Sequence, residues 1–478
     1  MPEFRTEWDP LGSYQVPASA LYGIQTARAR DNFAISGLRP PESWIVAQVW
    51  IKKAAALSHR DTGRLDVRRA DAIVAAADEV LAGEHREHFV VDPYQAGAGT
   101  SHNMNVNEVL ANRANERLGG ARGTYAPVHP NDHVNLAQST NDTIPTAMRL
   151  AILQDGRALS TVLEAHIAAW HRQAATWDHV VKAGRTHLQD AMPIRLGQEF
   201  AAYAGSVARA RQRLDEAAVY LEELGIGGSA VGTGVSVEPT YPARMVAHLR
   251  AITGFSALRE GADRVQLMQS LGDVAAFSAA LRGLAVEVSK IASDLRLMAS
   301  GPRTGLDELR LPAVQPGSSM MPGKVNPSIP EMVNQVCLQV IGLDLTVALA
   351  AEHGQLELNV MMPVMAFNVL MGLRLMTNAI RTFTERCVAG LVANEAMCAY
   401  WVERSAALAT ALMPRLGFSR AAEVAKQSVR EGVLIRDLVA RDALLLPEEA
   451  NAMLDLRRLT EIGVPGQEDH VDDGTRRR

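Results

Sequence analysis

The residues best suited to chemistry lie in one ten-residue stretch, residues 317–326, with the sequence GSSMMPGKVN. Glycine is conformationally loose and proline lacks an N–H group, so this stretch predicts a mobile loop. A serine such as Ser318 or Ser319 could lose its proton if backbone N–H groups and a lysine surrounded it in a site closed from water. Lys324 and Asn326 could together hold a carboxylate. Short motifs also occur by chance in surface loops, so other segments must show whether this loop is functional.

A second polar segment opens a predicted helix. Residues 97–101, GAGTS, form a small-residue turn that leads into helical sequence continuing through Ala114. Backbone N–H groups at a helix start attract anions, and Thr100 and Ser101 add hydroxyl donors there. An ordinary helix cap explains the segment equally well.

A third polar segment has the same character. Ser139, Thr140 and Asn141 precede Asp142 and Pro145. Proline is tolerated only in the first turn of a helix, so the sequence predicts that Asp142 caps a helix and that the polar residues before it lie at the helix N-terminus.

Two further segments interrupt the helical pattern. Thr186 and His187 lie in a charged and polar stretch, residues 184–190, where a lone histidine is more often structural than catalytic. The glycine-rich residues 225–234 superficially match a dinucleotide-binding loop. They lack the preceding strand and the βαβ context, so we reject that interpretation.

Helices are predicted for the elements that must position these segments. Apolar residues spaced three and four apart, without proline, indicate helices over residues 44–81, 146–177, 267–298, 330–351 and 364–391. The repeat within residues 267–298 is typical of a long bundle helix. The fold class is therefore predicted to be mainly α, with a central bundle whose seams continue into other subunits.

Three domains are expected along the chain. Residues 1–140 form the N-terminal domain, residues 141–393 the central helical bundle, and residues 394–478 a small C-terminal helical domain. The polar end of the last domain, residues 463–478, is expected to be a disordered tail.

The composition excludes several classes of protein. The 478 residues are 47% hydrophobic and 21% charged, with a net charge of -5. This composition indicates a soluble protein and gives no support for a nucleic-acid or membrane partner. Three cysteines are too few for a disulfide framework, and no signal peptide or apolar run of about 18 residues is found, so a cytoplasmic location is expected. His102, His129 and His133 are too irregularly spaced for a metal site, and neither metal nor cofactor is expected.

The separated segments together resemble the aspartase and class II fumarase superfamily, from about Pro17 to at least the region of Glu403. Residues 317–326 match the superfamily signature GSSxMPxKxN completely. The resemblance implies an almost wholly helical subunit of three domains. It further implies a homotetramer built on long helices, with each active site assembled from three subunits.

The chemistry implied by the resemblance is removal of a proton beside a carboxylate. That carboxylate must take on a second negative charge as an aci-carboxylate, which preorganised donors stabilise. The resemblance implies that Lys324 and Asn326 hold the α-carboxylate of a small dicarboxylate substrate. It also implies that four hydroxyl groups donate to the β-carboxylate: those of Thr100, Ser139, Thr140 and Ser319.

The resemblance also assigns the groups that transfer protons. Ser318 would be the base that removes the Cβ proton, with N–H groups of the closing loop stabilising its alkoxide. Asn141, Thr186 and His187 would surround the leaving amine. Glu331 would pair with His187 and set the position of its proton.

Finer features favour aspartase over fumarase within the superfamily. The aspartase pattern is matched by GAGTS at 97–101, STND at 139–142, PSIPEMVNQ at 327–335 and GQLELN at 354–359. The expected reaction is therefore reversible deamination of L-aspartate to fumarate and ammonia.

The alternatives rest on other residues. HPND at 129–132 resembles a second dicarboxylate site of fumarases, and His187 also fits them, so hydration of fumarate to L-malate stays open. Met362 before Pro363, and His353, depart from the aspartase pattern and bear on the substrate. A remote alternative is a catalytically silent relative, although each residue that the chemistry needs is present.

Overall fold

The computed structural model describes residues 3–467, and these residues are mainly helical, as the sequence predicts. Fifteen α-helices lie within them: α1 Ile24–Asn32, α2 Glu42–Asp61, α3 Val67–Leu81, α4 Thr100–Arg117, α5 Thr140–Thr176, α6 Leu196–Ala218, α7 Tyr241–Thr253, α8 Arg264–Gln269, α9 Gly272–Met298, α10 Ser328–Glu352, α11 Met362–Arg386, α12 Glu395–Arg404, α13 Met413–Glu431, α14 Ile435–Arg441 and α15 Pro447–Met453. Most of the predicted C-terminal tail, residues 468–478, lies outside the described residues.

The strands of the described residues are short and form two-stranded pairs: β1 Phe4–Asp9 with β2 Gly12–Pro17, β3 Val181–Thr186 with β4 Gln189–Arg195, β5 Glu223–Leu224 with β6 Arg259–Glu260, and β7 Leu309–Arg310 with β8 Val392–Ala393. Only the β5–β6 pair is parallel among them. The hairpin β3–β4 is the pair that carries predicted site residues.

The chain divides into two compact units. Unit 1 comprises Met1–Thr161, Ala210–Val286 and Val336–Asn378, and unit 2 comprises Val162–Arg209, Glu287–Gln335 and Ala379–Arg478. The expected division into three domains, at residues 140 and 393, stays a prediction.

Unit 1 contains a core built largely from α2, α3 and α4. The alanine-rich stretch 44–81, expected to be helical throughout, forms two helices with a turn between them. Gly63 adopts a φ of 72°, which glycine tolerates best, and the Asp66 side chain accepts a hydrogen bond from the backbone N–H of Arg69, which caps α3. The two helices then pack against each other and bury side chains such as Ile45, Val49, Ile73 and Val80.

Unit 2 contains an aromatic cluster on α5, α6 and α11. Trp170 contacts Phe200, Tyr203 and Phe383, and its indole N–H donates to Nε2 of the buried His166. A separate apolar cluster joins the C-terminal helices α13, α14 and α15: Leu412, Val424, Leu438, Val439 and Leu454 belong to it.

Within residues 3–467, two helices are long and apolar enough to cross a membrane by length and composition, α10 and Met362–Gly390. Neither helix is an uninterrupted apolar run of about 18 residues, because Asp344 lies within the first and Arg374 within the second, so the expectation from the sequence is not contradicted. The second helix is largely buried within the protein, as a core helix is. Helix α10 is less buried and carries Leu338, Leu345 and Leu349, which are 67%, 62% and 55% exposed and lie along one side.

Candidate active site

The N-termini of α4 and α5 lie side by side in unit 1. Gly99 precedes α4 with a φ of 83°, and a Cβ atom at this position would stand 3.1 Å from side-chain carbons of Ile144 in α5. The amide of Asn103 in α4 also donates to the Thr140 hydroxyl, over 3.1 Å. Two helix starts, each with a positive dipole end, therefore converge near Thr140, and such an arrangement favours an anion.

The start of α5 is a capping box. The Ser139 hydroxyl accepts from the N–H of Asn141 over 3.2 Å, and the Asp142 carboxylate accepts from the N–H of Ser139 over 2.9 Å. The sequence predicted Asp142 as the cap, but Ser139 is the capping residue and Asp142 its partner in the third helical position. The helix begins at Thr140 rather than Thr146, because Pro145 lies within the first turns.

The glycine-rich residues 225–234 support this helix start. The N–H groups of Gly227 and Ser229 each donate to the second carboxylate oxygen of Asp142 over 3.0 Å, and the amide of Asn141 donates to the carbonyl of Ala230 over 2.8 Å. The two-residue strand β5 directly precedes the segment and pairs in parallel with β6, which follows α7, so the expectation that no strand and no βαβ context are present is wrong. The rejection of a dinucleotide site stays a prediction. The role of the segment in this chain is to hold the N-terminus of α5.

The hydroxyl residues of α4 differ in exposure. The Thr100 side chain is exposed, whereas Ser101 is 6% exposed and lies in the interior of unit 1. Ser139, Thr140 and Asn141 are half-buried. Four of these five predicted binding residues are therefore accessible to a ligand, and for Ser101 a structural role is more consistent with its burial.

In unit 2, Thr186 and His187 lie at the tip of the β3–β4 hairpin. Thr186 pairs with Gln189, and the two residues between them, His187 and Leu188, have φ values of 56° and 58°. Positive φ at both positions is the pattern of a type I′ turn, which is uncommon for residues other than glycine, asparagine and aspartate. The turn holds the imidazole of His187 at an exposed tip.

A buried ionic cluster anchors this hairpin. The Glu308 carboxylate, fully buried, accepts two hydrogen bonds from the Arg185 guanidinium, over 2.9 and 3.0 Å, and lies 3.4 Å from Nζ of Lys182. Lys182 also bonds to Glu199 over 3.0 Å, and burial raises the pKa of Glu199. The sequence did not single out these four residues, since their proximity depends on contacts between distant segments.

The loop 317–326 is closed at its base by its own backbone. The N–H of Gly317 donates to the carbonyl of Lys324 over 2.8 Å, and the amide of Asn326 donates to the carbonyl of Gly317 over 2.6 Å. A Cβ atom at Gly317 would stand 2.5 Å from the Lys324 carbonyl, so the closure requires glycine. This loop corresponds to the one predicted from the sequence.

The Ser318 hydroxyl is held by the loop. Its Oγ accepts from the backbone N–H groups of Met320 and Met321, over 3.1 and 2.9 Å. Two donors aimed at one oxygen stabilise negative charge on it, so this geometry suits a serine that must become an alkoxide. Ser319 and Lys324 have exposed side chains in the same loop.

Glu331 lies in the first turn of α10 and is half-buried. Within residues 3–467 of a single chain, it forms no hydrogen bond or ion pair with His187. The pairing of these two residues stays a prediction.

The chain is similar in sequence to families of known proteins. The family model described as lyase matches residues 12–342, and the model described as fumarase C C-terminus matches residues 408–461. Aspartate ammonia-lyase from Bacillus subtilis (strain 168) is 46% identical over 467 residues, covering 98% of this chain and 98% of that protein. This chain belongs to the aspartase and class II fumarase superfamily.

Other members of the superfamily match equally well. Class II fumarate hydratase from Halobacterium salinarum is 47% identical over 468 residues, covering 98% of this chain and 99% of that protein. A crystal structure titled fumarate lyase:delta crystallin from Brucella melitensis, bound to cobalt, has a TM-score of 0.93 and 46% identity, covering 96% of this chain and 100% of that one. The prediction that the chain is a lyase is confirmed, whereas identity does not separate aspartase from fumarase.

Potential metal ligands in this superfamily member form two overlapping groups within residues 3–467: His85, Glu87 and His88, and Glu79, Glu84 and His85. Glu79 is already bound by Arg113 and Arg117, which hold its pKa low, so the second group has little affinity left for a cation. Neither group was predicted from the sequence, although His85 and His88 are close along the chain. The expectation that the protein needs no metal stays a prediction.

The three histidines considered in the sequence do not form a group of this kind. His102 stacks on Trp44 in the interior, where burial lowers its pKa to about 3. His129 accepts from the N–H groups of Asn131 and Asp132 through Nδ1, and these bonds hold a local turn.

Proposed function

We propose that this chain is an aspartate ammonia-lyase, a carbon–nitrogen lyase that converts L-aspartate reversibly to fumarate and ammonia. The observation that carries the proposal is the hydrogen bonding of Ser318, whose Oγ accepts from two backbone N–H groups within the loop. This arrangement lowers the cost of an alkoxide, which is a base strong enough to remove a proton from carbon.

The proposed reaction proceeds in two steps. The Ser318 alkoxide takes the Cβ proton of L-aspartate, and the electron pair of the C–H bond moves into the β-carboxylate, giving the aci-carboxylate. That electron pair then forms the Cα–Cβ double bond as the Cα–N bond breaks and its electrons leave with ammonia. Ser318 is left protonated, and release of its proton to ammonia or solvent restores the base.

Recognition of the β-carboxylate is supported by the two helix starts of unit 1. Thr100 is exposed at the N-terminus of α4, and Ser139 and Thr140 are half-buried at that of α5. Hydroxyl donors at helix N-termini stabilise charge that develops on a carboxylate. Lys324 and Asn326 are proposed to hold the α-carboxylate, and Ser319 to donate with the threonines.

The leaving group decides between two members of the superfamily. Asn141, Thr186 and His187 are proposed to surround the amine, and the aspartase pattern at residues 97–101 and 139–142 supports ammonia over water as the leaving group. The second candidate is fumarate hydratase, favoured by the HPND sequence at 129–132 and by the Halobacterium salinarum relative.

The protein is further proposed to act in the cytoplasm as a homotetramer of three-domain subunits, with each site drawn from three subunits. The exposed leucines of α10 support association, because Leu338, Leu345 and Leu349 form an apolar stripe that one subunit leaves uncovered. Val286 of α9, which is 52% exposed, adds to the uncovered apolar surface.

One assay tests the proposal. The purified protein is incubated with L-aspartate and, separately, with L-malate, and fumarate is followed by its ultraviolet absorbance. Fumarate from L-aspartate alone supports the ammonia-lyase, and fumarate from L-malate alone supports the hydratase. The reverse reaction gives a control, because an ammonia-lyase consumes fumarate only when ammonium is supplied. Absence of turnover with both substrates would favour the silent relative.

A further inference from the structure

Lys52 on α2 has a fully buried side chain in unit 1. Its Nζ donates to Oδ1 of Asn135 over 2.8 Å and to Oε1 of Gln138 over 2.9 Å. An ammonium group has only donors, so both amides must present their oxygen atoms to it. The nitrogen of Asn135 consequently faces away and donates to the backbone carbonyl of Gln138 over 3.1 Å. The lysine and the backbone carbonyls that accept from the two amide nitrogens together fix the orientation of both amides.

The amide of Asn103 links the orientation of the Asn135 amide to the hydroxyl of Thr140. Its Nδ2 lies 3.3 Å from Oδ1 of Asn135 and 3.1 Å from Oγ1 of Thr140. Since Asn135 presents an oxygen, Asn103 must present its nitrogen, and the same nitrogen donates to the threonine hydroxyl. The hydroxyl acts there as an acceptor, and within the described residues its own hydrogen has no protein acceptor. It therefore remains available to a ligand.

Gln48 alone does not fix the orientation of the Asn103 amide. Its Nε2 donates to Oδ1 of Asn103 over 2.8 Å, but its buried Oε1 has no hydrogen-bond partner among the described residues. Gln48 and Asn103 could therefore turn over together at little cost if Asn135 were free to turn. The oxygen of Asn103 would then face Thr140, and the threonine hydroxyl would donate inward.

We propose that Lys52 is a positioning residue for the dicarboxylate site: through Asn135 and Asn103 it keeps the Thr140 hydroxyl turned outward, ready to donate to a substrate carboxylate. The positive charge of Lys52 beneath the helix starts adds to the attraction for that carboxylate. This inference rests on the proposed function, in which Thr140 binds the β-carboxylate. Lys52 itself acts only through other residues.

The pKa values of the titratable groups around Lys52 support its proposed positioning role. Burial lowers the pKa of Lys52 to about 7, although the charge of Asp142 opposes the shift. Burial raises the pKa of Asp142 to about 6, lowers that of His102 to about 3, lowers that of His59, and raises that of Tyr241 far above its usual value. Above neutral pH, Lys52 is therefore the group in this set that changes its charge.

The test measures binding of succinate, a dicarboxylate that cannot react, by calorimetry. Lys52→Met keeps most of the side-chain volume but has no donor, and Lys52→Gln keeps a donor without the charge. Lys53→Met is the matched control, because Lys53 is the next residue of α2 and pairs with Asp78 at the surface. We expect Lys52→Met to weaken succinate binding by about tenfold or more. A hydrogen bond from the Thr140 hydroxyl to a succinate carboxylate is charge-assisted, and loss of one such bond reduces affinity by about this factor.

A matching rise in KM for the substrate is expected with Lys52→Met, a smaller one with Lys52→Gln, and none with Lys53→Met. Melting temperature and native mass spectrometry show whether each variant is folded and assembled. If the folded Lys52→Met protein bound succinate as wild type does, with only its melting temperature lowered, Lys52 would be structural and the inference would be overturned.

Wild-type protein gives a second measurement that does not depend on folding of a variant. Succinate affinity should fall several-fold from about pH 7 to about pH 9, because Lys52 loses its charge while its neutral amine keeps two N–H donors. An unchanged affinity would overturn the contribution of that charge. A wild type that makes fumarate from neither L-aspartate nor L-malate would overturn the proposed function and this inference with it. An active wild type with unaltered Lys52 variants would overturn this inference alone.

Discussion

Gly99 lies so close to Ile144 that a Cβ atom on the glycine would stand 3.1 Å from three carbons of the isoleucine side chain. The first residue precedes α4 and the second lies in the early turns of α5, so this contact sets how closely the two helix starts approach. The hydroxyls of Thr100 and Thr140 are proposed to share one carboxylate, and the spacing between them depends on this contact.

Gly99→Ala should therefore weaken succinate binding as well as stability. The left-handed φ and the close contact together predict a loss of about 1–3 kcal/mol in the free energy of unfolding. Gly83→Ala is the control, because Gly83 has a φ of 101° with no neighbouring atom within 4 Å. We expect a similar strain there but unchanged succinate affinity. Equal effects of both substitutions on succinate binding would show that the Gly99 contact does not position the site.

Ser318→Ala should abolish turnover and leave the melting temperature nearly unchanged. The side chain is half-buried in a loop, and its hydrogen bonds are to neighbouring N–H groups. Removing a proton-transfer group costs about 10²–10⁴-fold in rate. Succinate affinity, measured by calorimetry, should stay within a few-fold of wild type. Activity above a few per cent of wild type would assign the base to another residue.

Glu308→Gln should destabilise the β3–β4 hairpin and lower kcat. Both carboxylate oxygens face Arg185, and one also faces Lys182, so the neutral amide leaves Arg185 without this anion and Lys182 with Glu199 alone. Breaking a buried pair from one side costs about 3–5 kcal/mol. Asp190→Asn is the control, since Asp190 is an exposed carboxylate of the same hairpin, and its change should stay within about 0.5 kcal/mol. Chemical denaturation and steady-state kinetics measure both effects, and a Glu308→Gln protein with wild-type stability would contradict this anchoring role.

The sequence predicted the helices well because a helix is encoded locally, by apolar spacing and the absence of proline. Its errors fall where the structure depends on distant contacts or on single residues. The predicted helix 44–81 breaks at Gly63. At β3 and β4 the sequence predicted only an interruption of the helical pattern. These strands pair through a turn in which His187 and Leu188 have positive φ, which is unusual for such residues.

The same distinction applies to the candidate site. Ser318 and Thr140 could be singled out because each lies in a short polar motif. Lys52 could not, since it occurs in an alanine-rich helix, and its burial follows from the side chains of Asn135 and Gln138, more than eighty residues later along the chain. Partners so distant in sequence cannot be inferred from one sequence without a structure.

The stability of the protein should depend on pH through Lys52. Burial lowers its pKa to about 7, so between that pH and its usual pKa near 10.5 the unfolded chain holds a proton that the folded chain has released. The unfolded state binds more protons in this range, and stability contributed by this group therefore rises with pH, by about 1.4 kcal/mol per pH unit. Below about pH 7 both states are protonated, and the full cost of burying the charge remains.

Denaturation of wild type and Lys52→Met at about pH 7 and about pH 9 measures this contribution. The difference in unfolding free energy should move in favour of the wild type as the pH rises. A constant difference would mean that Lys52 keeps its proton throughout this range.

The last prediction concerns the sharing of sites between subunits. If each site draws Thr140 from one subunit and Ser318 from another, two inactive variants can restore each other. Ser318→Ala and Thr140→Ala proteins, unfolded and refolded together, should form hybrid tetramers. With random assortment, the probability that both residues of a site come from intact copies is about one quarter, so activity should rise far above that of either parent. Native mass spectrometry confirms the exchange, and each variant refolded alone is the control. A mixture that stays inactive after confirmed exchange would mean that each subunit carries a complete site of its own.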